Sequence, residues 1–235
     1  MRRLILPQSS IKYIIYQRTG YLSNNIFFNV LSKLGSLASF YKLSVSLKAV
    51  LFSSQIRQAF CDDLENDFLM IRKYLPQNAK SILDIGCGVA GIDALISEYY
   101  KDDLGVFLID KTVIDKKVFY DFENKGSFYN SLDISRDLLA MNHVGVKNIF
   151  LQDATEDNQI NFENQFDIII SLISWGFHYP ISTYLSTVYF KLNEGGVLIL
   201  DVRKKTSGIR EIEQQFGNCK IIHESKSYFR VIAIK

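Results

Sequence analysis

From Ser81 to the end of the chain, short apolar runs alternate with amphipathic stretches, and this alternation restricts the fold more than any other feature. The runs at 81–85 (SILDI), 105–109 (GVFLI), 147–151 (KNIFL), 166–172 (FDIIISL) and 196–200 (GVLIL) are too short for helices. Strands separated by helical segments pack as a parallel sheet covered by helices. Two more runs, 219–223 and 227–234, are joined only by Glu224 to Lys226. A parallel crossover needs about a dozen residues, so this last pair is an antiparallel hairpin. The expected α/β sheet therefore has five parallel strands plus a C-terminal antiparallel hairpin.

Upstream the period is helical. Phe27, Val30, Leu31, Leu34, Leu37 and Tyr41 recur at helical spacing, and so do Ile56, Phe60, Leu64, Phe68 and Ile71 before Pro76. This divides the chain into a helical extension, 1–76, expected as a substrate cap, and a domain over 77–235. Charge divides it too: residues 1–61 hold eight of the 27 bases and none of the 25 acids. Such a leader points to an anionic contact, whether a phosphorylated substrate, an acidic surface or nucleic acid. A solvated helical face is the plainer reading of the same residues.

Between Asp110 and Val146 a helix is expected over 132–143. The preceding residues, 111–131, read as a small hairpin or lid, to which Lys116 and Lys117 add positive charge. His143 and His223 read as structural. No run approaches the roughly 18 to 20 apolar residues of a membrane span. The apolar run after Arg2 and Arg3 is also far short of the roughly 7 to 15 residues of a secretory signal. Cys61, Cys87 and Cys219 form neither a disulfide framework nor a metal-ligand pair, so a cytoplasmic chain with no metal is expected.

The stretch SILDIGCGVAGID, residues 81–93, ends a strand with G-x-G-x-x-G at Gly86, Gly88 and Gly91. These glycines suit a tight turn, close approach of the backbone to a ligand, and helix packing. The spacing alone does not choose the ligand, but Asp84 does. Its carboxylate would repel a pyrophosphate and attract an ammonium or sulfonium. S-adenosylmethionine carries both cations, and its carboxylate suits the free amides of the turn. Asp110 ends the second strand, 19 residues after Gly91, where an acid accepts ribose hydroxyls. Asp153 follows the third strand and can accept from the amine of an adenine.

Five segments, D-I-G-C-G-V-A-G at 84–91, Asp110, Q-D-A at 152–154, F-D-I-I-I-S-L at 166–172 and L-N-E-G-G-V-L-I-L at 192–200, carry a resemblance. From about residue 77 the chain resembles class I S-adenosylmethionine-dependent methyltransferases. The resemblance implies a Rossmann-like seven-stranded sheet with the last strand between the fifth and the sixth. It implies S-adenosylmethionine as cofactor, held by Asp84, Gly86, Cys87, Gly88, Gly91, Asp110, Lys111, Asp153, Ala154 and Ser171. The third glycine stands one residue later than in the family's G-x-G-x-G.

The resemblance also implies that the segment after the fourth strand, SLISWGFHYPISTYL at 171–185, faces the methyl group. Enzymes that methylate base amines carry Asn or Asp, two prolines and an aromatic there. Ser174-Trp175-Gly176-Phe177 departs from that pattern. His178 has a pKa near neutrality and could take a proton from a hydroxyl acceptor, or simply pack among aromatics. Trp175, Phe177 and Tyr179 are expected to contact the acceptor. With the helical leader and F-Y-N-S at 128–131, this segment resembles small bacterial methyltransferases of sugar and surface-polysaccharide modification. That implies O-methylation of a small or glycan-linked acceptor that can carry phosphate.

Three rivals remain. An RNA methyltransferase is supported by the basic leader, but the net charge of +2 and the lack of a nucleic-acid module argue against nucleic acid as a partner. A catalytically silent binding module is the second, and a nicotinamide-dependent oxidoreductase, disfavoured by Asp84, is the third.

Overall fold

The computed structural model describes residues 2–18, 38–101, 103–112 and 131–235, with the side chains of 38–44 excepted. Eight strands occur among these residues: β1 Ser81–Ile85, β2 Gly105–Asp110, β3 Ile149–Asp153, β4 Phe166–Ser171, β5 Ser174–Tyr179, β6 Leu192–Arg203, β7 Lys220–Glu224 and β8 Tyr228–Ile234. The α-helices are α1 Ser10–Gln17, α2 Ala38–Leu51, α3 Ser53–Ile71, α4 Gly91–Tyr99, α5 Leu132–Met141, α6 Leu185–Lys191 and α7 Gly208–Phe216.

Seven strands make one sheet in the order β3-β2-β1-β4-β6-β8-β7. β1 to β4 and β6 run parallel, and β8 is antiparallel to both its neighbours. This is the expected sheet, with the final strand inserted between the fifth and sixth members. β5 lies outside it and runs against β6; nothing in the periodicity of 171–185 announced that strand.

The apolar runs are continuous because both faces of the central strands are buried. Ile82, Val106, Ile168 and Ile199 pack on one face, and Leu83, Phe107, Ile169 and Leu198 on the other. Side chains alternate along a strand, so each strand feeds two cores. The first core holds α4 and α5 together with Ile11, Ile14 and Ile15 of α1 and the whole expected stripe of α3, Ile56 to Ile71. The N-terminal helices therefore share an apolar core with the sheet. α3 packs directly on the start of α4, where a Cβ on Gly91 would lie 2.5 Å from Leu64 Cδ1.

Much of the basic leader is turned inward on its own chain. Arg18 pairs with Asp63 (3.3 Å) and Asp67 (3.4 Å) of α3. Arg57 donates to the Leu6 carbonyl and to Gln8 Oε1, and Arg3 donates to Gln58. Asp67 also accepts from Arg230 of β8, whose guanidinium forks onto Asp201 of β6 at 2.7 and 3.0 Å. Arg230 and Asp201 are fully buried. This chain of charges ties α3 and the end of α1 to β6 and β8 on the face of the sheet that they cover.

The predicted helix over 23–41 lies mostly outside the described residues, as does most of the lid at 111–131 with Lys116 and Lys117. Where α5 ends, His143 takes φ +72°, and His223 lies on β7. No helix among the described residues is long and apolar enough to cross a membrane.

Candidate functional site

The three acids and three glycines singled out in the sequence converge at the carboxyl ends of β1, β2 and β3. Register sets this directly, because β2 and β3 place Asp110 beside Asp153. Gly86 and Gly88 leave β1 with φ +79° and +55°, a region that residues with a Cβ rarely enter. Gly86 N donates to the Ile109 carbonyl (2.7 Å), so the turn is pinned to the end of β2.

Asp110 is half-buried and completes the turn. Its Oδ2 accepts from Gly88 N (2.8 Å) and its Oδ1 from Lys111 N (2.7 Å). The Cys87 thiol also donates to Asp110 Oδ2 at 4.0 Å, so one carboxylate gathers both residues of the turn. Ala154 N donates to the Asp110 carbonyl (2.9 Å), which fixes the β3 end beside it. Asp153 is exposed and accepts from Thr112 N (3.0 Å).

Two close approaches at the glycines involve the chain itself. A Cβ on Gly86 would lie 1.8 Å from Ser174 Oγ, so the start of β5 presses on the turn. A Cβ on Gly88 would lie 2.7 Å from Gln17 Oε1, so the end of α1 reaches the turn as well. The sequence reading placed Ser174 in the segment facing the acceptor and not against the turn, and no motif marked Gln17, some seventy residues from the turn it meets.

Asp84 requires a correction. The sequence reading treats it as a ready carboxylate, but it is 2 % exposed and faces the fully buried Asp93 in the first turn of α4. No donor of the described residues reaches Asp84 Oδ1 or either oxygen of Asp93. Two neighbouring carboxyls can share a hydrogen bond only while one of them holds a proton. Burial, and then Asp93, push Asp84 well above the usual carboxylate range. Burial pushes Asp93 up to about 7. The neighbouring Cys87 thiol is buried and raised, by burial first and by Asp110, Asp84 and Asp93 next.

Two further expectations are corrected by burial. Ser171 is fully buried; it donates to the Ile85 carbonyl (2.6 Å) and accepts from Trp175 N (2.9 Å). It therefore joins β1 to the start of β5 and presents no surface to a cofactor. Trp175 is likewise fully buried, with its indole N–H donated to the carbonyls of Ile181 (3.1 Å) and Pro180 (3.2 Å). Its side chain is therefore enclosed in the second core and presents no surface to an acceptor.

The rest of β5 is accessible. His178 is exposed, and Phe177 and Tyr179 are half-buried. The Phe177 ring meets His178 edge-on (4.9 Å) and Tyr228 (6.0 Å), and the Arg203 guanidinium lies 5.5 Å from it. Partial desolvation of the imidazole by the groups packed around it, and then the Arg203 charge, lower the His178 pKa below its ordinary value, although the residue remains open to solvent. Arg203 escaped the sequence reading because β6 was expected to end at 200, and Tyr228 because its strand, though expected, carried nothing to place it beside Phe177. No group of three or more metal-ligating side chains occurs among the described residues.

A sheet of this order, with its last strand antiparallel and inserted beside the hairpin partner, has the Rossmann-like fold of class I methyltransferases. No protein-family model and no curated protein matches the chain. Among solved structures it is similar to the Thermus thermophilus 16S rRNA N2 G1207 methyltransferase in complex with AdoMet and guanosine. That match has TM-score 0.52 and 15% identity, covering 72% of this chain and 41% of that one. It is also similar to a precorrin-6y C5,15-methyltransferase from Geobacter metallireducens (TM-score 0.51, 14% identity, 71% and 86% covered). A candidate O-methyltransferase from Nostoc punctiforme matches with TM-score 0.51 and 11% identity, over 74% and 56% of the two chains. The chain thus spans about two fifths and just over half of the first and third of these. The argument from charge against nucleic acid is overturned, since an rRNA methyltransferase shares this fold.

Proposed function

We propose that the chain is an S-adenosylmethionine-dependent methyltransferase. The observation that carries this reading is Asp110 at the end of β2, whose carboxylate braces the glycine turn where the ends of β1, β2 and β3 converge. The residues fit the cofactor. Asp84, buried behind the turn, supplies a carboxyl with an unpartnered oxygen toward the amino-acid end, and Asp110 and Asp153 at the ends of β2 and β3 suit ribose hydroxyls and the adenine amine. Gly86, Cys87, Gly88 and Gly91 supply the turn, and Lys111 and Ala154 flank the ribose and base positions. S-adenosylmethionine supplies a methyl group on a positively charged sulfur.

The acceptor side is β5. Phe177 and Tyr179 offer apolar surface, Arg203 offers a cation for a phosphate or carboxylate, and His178 offers a base. A lowered pKa keeps the imidazole neutral near pH 7, the form that can take a hydroxyl proton. These features, and the absence of the base-amine pattern, support O-methylation of a small or glycan-linked acceptor that can carry phosphate, in a cytoplasmic enzyme. In this reading residues 1–76 cap the site, with Gln17 over Gly88.

Calorimetry with S-adenosylhomocysteine tests the cofactor; an Asp110→Ala variant that stays folded and binds it as tightly as the wild type refutes the site. Acceptor class is tested by S-adenosylhomocysteine release over sugar phosphates, glycan-linked phosphates and RNA. Release with RNA alone would refute the glycan reading.

A further inference from the structure

Asp84 and Asp93 form a buried pair of acids with no counter-charge among the described residues. No ion pair among the described residues includes either one. The other groups around them are few. Asp110 comes from β2 and Cys87 from the turn, and both are acidic or neutral. α3 brings Phe60 and Leu64 to Gly91, and α1 brings the neutral Gln17 to Gly88. α5 brings the Ser135 hydroxyl, which donates to the Gly88 carbonyl at 2.7 Å. Ser97, one turn after Asp93 on α4, is fully buried with its hydroxyl also lacking a partner. Two carboxyls so placed cannot both ionise, and a lone buried charge shifts its protonation rather than persist.

We infer that Asp93 is a positioning residue for the cofactor, acting through Asp84: the pair gives up a proton when it receives the ammonium of the cofactor's amino-acid end. This rests on the proposed cofactor site and adds a second acid to it. In the free chain below neutral pH, both carboxyls are protonated and neutral. Binding ionises Asp84, whose carboxylate then meets the ammonium and accepts the remaining Asp93 proton as a hydrogen bond. One proton leaves to solvent for each ammonium bound, and no covalent bond changes other than O–H. The raised pKa values of both acids set the window at and below about pH 7. There, affinity should rise with pH by up to about tenfold per unit, the slope of one released proton. Above it, affinity levels off.

The test is calorimetry of the full chain with S-adenosylhomocysteine between pH 5.5 and 8, in buffers of different ionisation heat, beside 5′-methylthioadenosine, which lacks the amino-acid end. The expected result is a proton released with the first ligand, affinity falling several-fold from pH 7 to 6, and a flat profile with the second. Asp93→Asn places an amide N–H donor against Asp84 and stabilises its carboxylate, so that variant should bind more tightly than wild type at pH 6 and lose the slope. A flat profile with no proton released in the wild type overturns the inference, as does an Asp93→Asn variant that keeps the slope. Should that variant fail to fold, the wild-type proton count decides alone. Failure of both ligands to bind at any pH would instead remove the cofactor site itself, and this inference with it.

Discussion

Replacing Arg230 by Met removes the cation at the centre of the network between β6, β8 and α3. The structure supports a large effect. Arg230 makes three charge-assisted hydrogen bonds, at 2.7 and 3.0 Å to Asp201 and 2.7 Å to Asp67, with Arg230 and Asp201 fully buried. Asp67 would keep Arg18 at 3.4 Å, but Asp201 would keep no counter-charge. Breaking a buried pair from one side costs about 3 to 5 kcal/mol, a large part of the ~5 to 15 kcal/mol that holds a domain together. The sign of the pH dependence follows. Burial already raises the Asp201 pKa and Arg230 opposes the rise, so without Arg230 it climbs further. The folded variant then binds a proton that the unfolded chain does not, and its deficit shrinks as pH falls. Urea unfolding can be read from Trp175, the only tryptophan and fully buried beside β6. Replacing Asp201 by Leu as well should recover part of the loss, since the stranded charge is gone. A loss under about 1 kcal/mol, or one that is the same at pH 5 and pH 8, would refute this account.

Three other outcomes follow from the site. Gly86→Ala should destabilise the chain by about 1 to 3 kcal/mol, because the methyl would fall 1.8 Å from Ser174 Oγ at φ +79°. Adding Ser174→Gly should return the steric share, which urea unfolding of both variants will measure. Asp110→Ala should weaken S-adenosylhomocysteine binding by about 1 to 3 kcal/mol, since the loss frees Gly88 N–H as well as the ribose contacts; titration calorimetry checks it. His178→Ala should slow turnover by about 10² or more with cofactor affinity unchanged, and wild-type turnover should rise through an apparent pKa below 6.5. Wild-type turnover in the alanine variant would leave His178 as packing only.

The strands were legible because each fully buried strand is a continuous apolar run, and the hairpin because three residues permit no crossover. Asp110 and Asp153 were legible for a related reason, since strand ends in a parallel sheet fall on one edge. The contacts that complete the site were not. Gln17 and Ser174 reach the glycine turn from elements distant in sequence, and neither residue type distinguishes a surface position from a contact. Ser171 ends β4 with its side chain turned to the Ile85 carbonyl and Trp175 N, which a strand-end serine does not announce. Trp175 lies on a further strand, β5, where the sequence reading had a segment lining a cleft, and its indole is buried.

Asp93 was invisible for a different reason. In "GVAGID" it occupies the third position of a helix, where an acid complements the positive end of the helix dipole and is ordinarily solvated. Here the same position is covered by the turn and by β1, so a favourable local site becomes a buried one. The energetic consequence runs against habit. A carboxyl whose pKa is raised on folding binds a proton in the folded chain that the unfolded chain has released. Stability at this pair is therefore highest below the ordinary carboxylate range and is lost as pH rises toward about 7, where Asp93 would ionise. Acids that only served the fold would be better placed facing a donor. A pair for which no donor of the described residues is at hand, directly behind the turn that Asp110 braces, would be stabilised at neutral pH by the ammonium of the proposed cofactor.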